Sequence, residues 1–173
     1  MNNPEVIDIY DENKNRTGRT LIRHKEFLKP GEYLVAVQAI IINSKGEILI
    51  SLRSPLKEKC PLKWECNGGA LHAGEEPIEG IVREISEELG IVFSKEDAIY
   101  LKTARDSYRF KEVYLFKCDI DIKDISFTDE ESIEAKWVSI DEFMDMFNKG
   151  DIVDNVDFGK DDYERAMKLL ESK

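Results

Sequence analysis

The sequence predicts an α/β domain built on a mixed β-sheet. Strand and helix signals are interleaved along the chain, without the strict strand–helix alternation of a doubly wound parallel sheet. An amphipathic helix with clear start and stop signals sits mid-chain, with strand signals before and after it. The chain has 173 residues, 42% of them hydrophobic, which suits one packed domain over residues 1–173.

The elements follow in order. Val6–Tyr10 alternates apolar and polar residues and reads as a short strand; 11–18 is a polar turn. Residues 33–42, rich in Val, Ile and Ala, read as a buried strand. A turn at 43–46 joins it to a second strand, 47–53, as a hairpin. Residues 54–63 carry two prolines and three lysines and read as a loop. Pro77–Leu89 is a helix: proline suits its first position and Gly90 its stop. Ile78, Ile81, Val82, Ile85 and Leu89 fall within roughly 50° of their mean direction, a core-facing stripe. Further strands are expected at 98–104, 112–120 and 134–138. A short helix at 141–148 is capped by Ser139 or Asp141, and a terminal amphipathic helix covers 160–170.

Composition excludes several classes. The net charge is −11, against a general grip on DNA or RNA backbone. The charge is uneven: residues 1–63 carry net +3 and residues 64–173 net −14. No apolar run approaches the ~18 residues of a membrane span. The first ten residues lack a basic-then-apolar pattern, so a cytoplasmic location is expected. Three cysteines without a C-x-x-C pair, and two histidines, argue against structural zinc and for free thiols.

Chemistry concentrates between residues 67 and 91. On the helix, Glu84, Glu87 and Glu88 form an acidic stripe beside the apolar one. Like charges at these spacings repel, and anions near a helix C-terminus oppose its dipole. A solvated acidic face is one reading; a divalent cation held by carboxylate oxygens is the other. Before the helix, residues 67–75 form a loop with three glycines, which allow close backbone approach to a ligand, followed by Glu75.

Gly69, Glu75, Arg83, Glu84, Ile85, Glu87, Glu88, Gly90 and Ile91 match all nine specified positions of the pattern G-x5-E-x7-R-E-U-x-E-E-x-G-U, where U is bulky and aliphatic. The chain therefore resembles the Nudix hydrolases over roughly residues 5–147, with a helical extension at about 160–171. The resemblance implies a mixed sheet in an α/β/α sandwich. It also implies magnesium or manganese and hydrolysis of a diphosphate linkage in a nucleoside diphosphate joined to another group, a small-molecule substrate. On that resemblance Glu84, Glu87, Glu88 and the Gly68 carbonyl are the metal ligands, with Glu84 alternatively the general base. Arg83 and Glu75 form an orienting pair. Glu131, chosen from Asp129, Glu130, Glu131 and Glu134, is the auxiliary ligand or base. Arg53 heads a basic cluster with Lys57, Lys59 and Lys63 and is the candidate for substrate phosphate. His72, Tyr33, Tyr108 and Phe110 read as loop or packing residues first. A homodimer is compatible with the family.

Two alternatives follow from the same resemblance. The N-terminal half is similar to the isopentenyl-diphosphate isomerase branch, which needs a catalytic cysteine and metal-binding histidines. Here Cys66 lies early in the loop, Gly69 falls near the cysteine position, and Leu34 and Val35 stand where a histidine is expected. A non-catalytic sensing domain would carry an eroded motif, and this motif is complete.

Overall fold

The protein is described by a computed structural model over residues 4–127 and 131–172. Nine strands and three α-helices are defined among these residues. Val6–Tyr10 (β1) and Arg16–Ile22 (β2) form a small antiparallel hairpin. The main sheet holds Leu34–Ile42 (β3), Ile48–Arg53 (β4), Trp64–Glu65 (β5), Gly68–Ala70 (β6), Ile99–Arg105 (β7), Arg109–Lys117 (β8) and Ser132–Val138 (β9). The helices are Pro77–Leu89 (α1), Ile140–Lys149 (α2) and Lys160–Glu171 (α3).

The sheet is mixed, as the sequence predicts. β3 runs parallel to β8 from Leu34↔Arg109 to Ile42↔Lys117, and its other pairings are antiparallel. Side chains alternate across β3. Val35, Val37, Ala39 and Ile41 join one core with Ile81, Ile85 and Leu89 of α1. Ile40 and Ile42 join the other, with Phe143 and Met146 of α2 and Ala166 of α3. The result is an α/β/α sandwich, buried on both faces. Apolar stripes at helical spacing on α1 and period-two alternation on β3 suffice to build it.

The expected hairpin of β3 and β4 differs in one respect that creates the site. The two strands share the pair Ile42↔Ile48 and then part. β4 continues against β9 and β5, while β3 takes β6 as its partner through Ala36↔Ala70, Val37↔Gly69 and Gln38↔Gly68. The parting of the strands opens a cleft at one end of the sheet, with the glycine-rich loop on its floor.

Three local expectations are corrected. The polar stretch 11–18 contains the start of a strand: β2 begins at Arg16, hidden by Arg and Thr side chains on an exposed hairpin face. Gly68–Ala70 is a short strand and not only a loop, because glycine has low strand propensity yet permits the close approach to β3. A Cβ at Gly68 would overlap the Val37 carbonyl. The strand expected at 112–120 runs from Arg109 to Lys117. Pairing with Leu34–Ala36 recruits Arg109–Lys111, and Cys118 turns its amide to the Ile42 carbonyl as the strand ends.

The helix ends agree with their signals. Pro77 opens α1 and Gly90 closes it at φ 66°, the left-handed region that favours glycine. Ser139, rather than Asp141, caps α2 by accepting from the Glu142 amide. The β1–β2 hairpin braces the loop before α1. Gly74 N donates to Asp8 Oδ2 at 2.8 Å, Ala73 N to the Val6 carbonyl, and Arg16 reaches Glu76 at 2.9 Å.

Candidate active site

The cleft has a free volume of about 1030 Å³, and the glycine loop, α1, the 54–63 loop and the ends of β3 and β8 border it. Gly68, Gly69, Arg83, Glu84, Glu87, Glu88, Arg53 and Glu131 all line it; Glu75 stands behind Arg83. Asp129 and Glu130 lie outside the described residues.

Arg83 is the hub. Its Nε donates to Glu75 Oε1 at 2.8 Å and its Nη2 to Glu75 Oε2 at 2.9 Å, a bidentate pair. Its Nη1 reaches Glu84 Oε1 and Glu87 Oε2, each at 2.9 Å, and Nη2 also reaches the Ala70 carbonyl at 3.3 Å. Burial alone would raise the Glu75 carboxyl. Hydrogen bonds from Arg83 and the His72 amide outweigh it and hold Glu75 below the usual carboxylate range. Glu75 is thus a fixed anion that locks Arg83, and Arg83 aims the carboxylates.

The three acids of α1 sit in different surroundings. Glu87 is half exposed. Glu84 packs so closely on the glycine loop that a Cβ at Gly69 would overlap its carboxylate. Glycine at the first position of the motif leaves room for the Glu84 carboxylate in this arrangement. Burial pushes the Glu84 carboxyl up to about 7, with Arg83 pulling the other way and Glu87 adding repulsion. Glu88 is 5% exposed. Burial, and then the charges of Glu84, Glu65 and Glu131, raise it well above the usual range. Its hydrogen bond comes from Asn67 Nδ2 at 2.8 Å, and the same nitrogen lies 3.0 Å from Ser51 Oγ. No ion pair reaches Glu88 among the described residues.

The opposite wall is the lysine-rich loop. Arg53 Nη1 pairs with both oxygens of Glu65 at 2.9 and 2.7 Å, and its Nη2 donates to the Lys59 carbonyl at 2.8 Å. Arg53 therefore ties the loop to β5 while lining the cleft. Lys57 forms an ion pair with Glu131. Tyr33 and Phe110 form a tilted ring pair, centroids 5.4 Å apart, with Arg105 over both rings, so they pack as the sequence suggests. Tyr108 is half exposed at the rim.

Oxygen donors on one helix face beside backbone carbonyls suit a hard divalent cation. Glu88, whose ionised form burial and its acidic neighbours disfavour, would gain from one as well. As the side chains stand, no group of three or more His, Cys, Asp or Glu is placed to hold a metal among the described residues. The guanidinium of Arg83 occupies Glu84 and Glu87 in that arrangement. Asn67, Ser51 and Glu65 are site residues that sequence reasoning did not assign. Their position beside the glycine loop and at the strand ends is the one signal that could have found them.

Comparison with known proteins agrees with this geometry. The NUDIX domain family matches residues 32–156. An uncharacterized Nudix hydrolase of Listeria monocytogenes is 30% identical over 154 residues, covering 86% of this chain and 88% of its own. One from Clostridium acetobutylicum is 24% identical over 168 residues, covering 86% and 81%. Among solved structures, a Deinococcus radiodurans protein superimposes with a TM-score of 0.72 at 23% identity, covering 84% of this chain and 90% of that one. The MutT protein from Methanosarcina mazei does so at 0.55 and 26% identity, covering 84% and 99%.

Proposed function

The chain belongs to the Nudix hydrolase family, and from that premise we propose that it cleaves the diphosphate linkage of a nucleoside diphosphate joined to another group, using magnesium or manganese. The observation that carries this reading is Glu88: a buried carboxylate facing a cleft, beside Glu84 and without an ion pair among the described residues. Such a group is costly unless a cation joins it.

Glu84, Glu87, Glu88 and the Gly68 carbonyl would hold the ion. When bound, a divalent ion neutralises the diphosphate and lowers the pKa of a coordinated water. The chain's own residues do the rest. Arg83, locked by Glu75, holds Glu84 and Glu87 in register. Asn67 fixes the Glu88 carboxylate from below. Glu84 serves alternatively as the general base that takes a proton from the attacking water. Glu131, which lines the cleft, is the auxiliary ligand or base. Arg53, Lys57 and Lys59 line the opposite wall, where Arg53 pairs with Glu65 and Lys57 with Glu131, and they are the candidates to meet substrate phosphate.

Phosphorus NMR on the purified protein with magnesium tests the reading. The panel is nucleotide sugars, ADP-ribose, dinucleotides, deoxynucleoside triphosphates and isopentenyl diphosphate. Cleavage of a nucleoside diphosphate compound, abolished by a chelator, is the expected result. Silence across the panel would overturn the reading. The isomerase chemistry needs a reactive thiol, and burial pushes the Cys66 thiol up to about 12. Cys66→Ala is accordingly expected to leave kcat/KM within about twofold, measured on the cleaved compound.

A further inference from the structure

Resting on the proposed hydrolase reading, we propose that Asp8 and Arg16 of the β1–β2 hairpin are positioning residues for the reaction. They fix the loop at 73–76, and through Glu75 and Arg83 they aim the Glu84 and Glu87 carboxylates. Neither residue belongs to the nine-position motif, which begins at Gly69, and neither lines the cleft. The glycine loop is held in two halves. Its first half pairs with β3 through Gln38↔Gly68, Val37↔Gly69 and Ala36↔Ala70. The Leu71 amide adds a last bond to the Val35 carbonyl at 3.3 Å. From Ala73 to Glu76 the hairpin takes over, residue by residue. Ala73 N donates to the Val6 carbonyl and Gly74 N to Asp8 Oδ2, both at 2.8 Å. Arg16 Nη2 donates to the Glu75 carbonyl at 2.7 Å and Nη1 to Glu76 Oε1 at 2.9 Å, with the Tyr10 hydroxyl beside the same guanidinium. Arg16 Nε lies 3.1 Å from Asp8 Oδ2, so one carboxylate oxygen joins the two grips.

This half of the loop needs a brace. Gly74 sits at φ 83°, in a tight turn where Glu75 N donates to the His72 carbonyl and His72 N donates to Glu75 Oε2. The turn aims the Glu75 carboxylate at Arg83, and a glycine in it adds no stiffness. Ion pairs at an exposed arginine contribute little each to stability. Here three bonds share one planar fork, and what they supply is geometry. The hairpin is itself anchored. Ile7, Ile9 and Leu21 pack with Leu34 and Ala70, Tyr10 and Tyr33 exchange two backbone bonds at 2.8 Å, and Lys14 pairs with buried Glu112 at the far end. A loop freed from the hairpin would carry Glu75 away from Arg83. The guanidinium would then keep Glu84, Glu87 and the Ala70 carbonyl as partners, and its charge would compete for the carboxylates a cation needs. Loss of the clamp therefore weakens cation binding together with turnover.

Asp8→Ala removes the acceptor for Gly74 N, and Asp8→Asn keeps one. Arg16→Ala removes the fork from an exposed position, where the fold does not depend on it. Lys14→Ala is the control: it cuts the hairpin's far tether to Glu112 and leaves the loop contacts in place. Each full-length variant is compared with the parent chain by manganese titration followed by EPR, amide hydrogen exchange at 73–76, calorimetric melting, and kinetics on the compound cleaved in the phosphorus NMR panel. In Asp8→Ala and Arg16→Ala, manganese affinity should fall about tenfold and kcat about tenfold to a hundredfold, with KM within about threefold. The Gly74 amide should exchange about tenfold faster in Asp8→Ala, and Asp8→Asn should recover most of each loss. Lys14→Ala should lower Tm, since it leaves a buried carboxylate without its cation, yet keep kcat and manganese affinity within about twofold. Unchanged manganese affinity and kcat in both alanine variants, a loss carried by KM alone, or an equal loss in Lys14→Ala would each overturn the assignment. So would a parent that binds no manganese. Manganese binding and exchange need no turnover. Weakened manganese binding in the variants of a parent that cleaves nothing would uphold the clamp and sink the hydrolase reading alone.

Discussion

Glu88→Gln is expected to lower kcat by about 10³-fold or more while raising the stability of the ligand-free protein. The two effects have one cause. The carboxylate is 5% exposed, and burial, Glu84, Glu65 and Glu131 all oppose its charge. Glutamine has the same shape and keeps an oxygen for Asn67 Nδ2, so the fold loses little. It cannot supply an anionic ligand, and losing several kcal/mol of charge stabilisation in the transition state corresponds to that rate. Removing a poorly compensated buried charge should stabilise the ligand-free chain by about 1–3 kcal/mol, or about 2–4 °C in Tm per kcal/mol at this size. Steady-state kinetics and calorimetric melting of the same preparation check both halves. Glu87→Gln should lose activity too, but, being half exposed, without the gain in stability. Lower activity with lower stability in Glu88→Gln would mean the carboxylate is merely structural.

The second large effect is a dependence of stability on pH that a divalent ion reverses. Glu84 in the folded chain has its carboxyl pushed from the ordinary 4.5 up to about 7, chiefly by burial. Between those values the folded state binds more protons than the unfolded state. Stability in chelator therefore falls as pH rises from about 4.5 to about 7, and levels off above. Glu88 moves in the same direction and adds to the fall. Glu84 alone corresponds to about 3 kcal/mol, because each tenfold change in proton affinity is worth about 1.4 kcal/mol. Magnesium or manganese binds the ionised carboxylates and competes with protons, so its stabilisation should be larger at pH 8 than at pH 5. Melting curves at the two pH values, with chelator and with saturating ion, show whether this holds. A metal-induced rise in Tm that is equal at both values would contradict it.

Much of the site was legible because its residues are tied to a helix with clear ends. Pro77 and Gly90 delimit α1, and the apolar stripe fixes its rotation. The same rotation orders the acids. At about 100° per residue, Glu88 lies about 80° from the centre of the stripe, Glu84 about 120° and Glu87 about 180°. Their burial follows that order, from Glu88 at the edge of the core to Glu87 at the surface. What the sequence concealed lies where strands meet. Gln38 sits inside an apolar run that reads as pure core, yet it borders the cleft, buried, on the stretch of β3 from which β4 has parted. Lys111 is buried because a segment far along the chain, at 155–157, folds over it. Asn67 acquires its role only when the loop brings it under Glu88. β2 was hidden because both faces of that hairpin strand carry Arg and Thr before Leu21. Local periodicity reports elements; it does not report which of them separate, and a cleft is made by separation.

On the proposed reading, water attacks phosphorus in a diphosphate held over the α1 carboxylates. The most direct test is to run the cleavage in ¹⁸O-labelled water with magnesium, using the compound turned over in the phosphorus NMR panel, and to locate the label by mass spectrometry. The expected result is one ¹⁸O on a phosphate of one product, with no label in the organic group, and no labelled product from Glu88→Gln. Label on carbon, or products formed at the parent rate by Glu88→Gln, would contradict it.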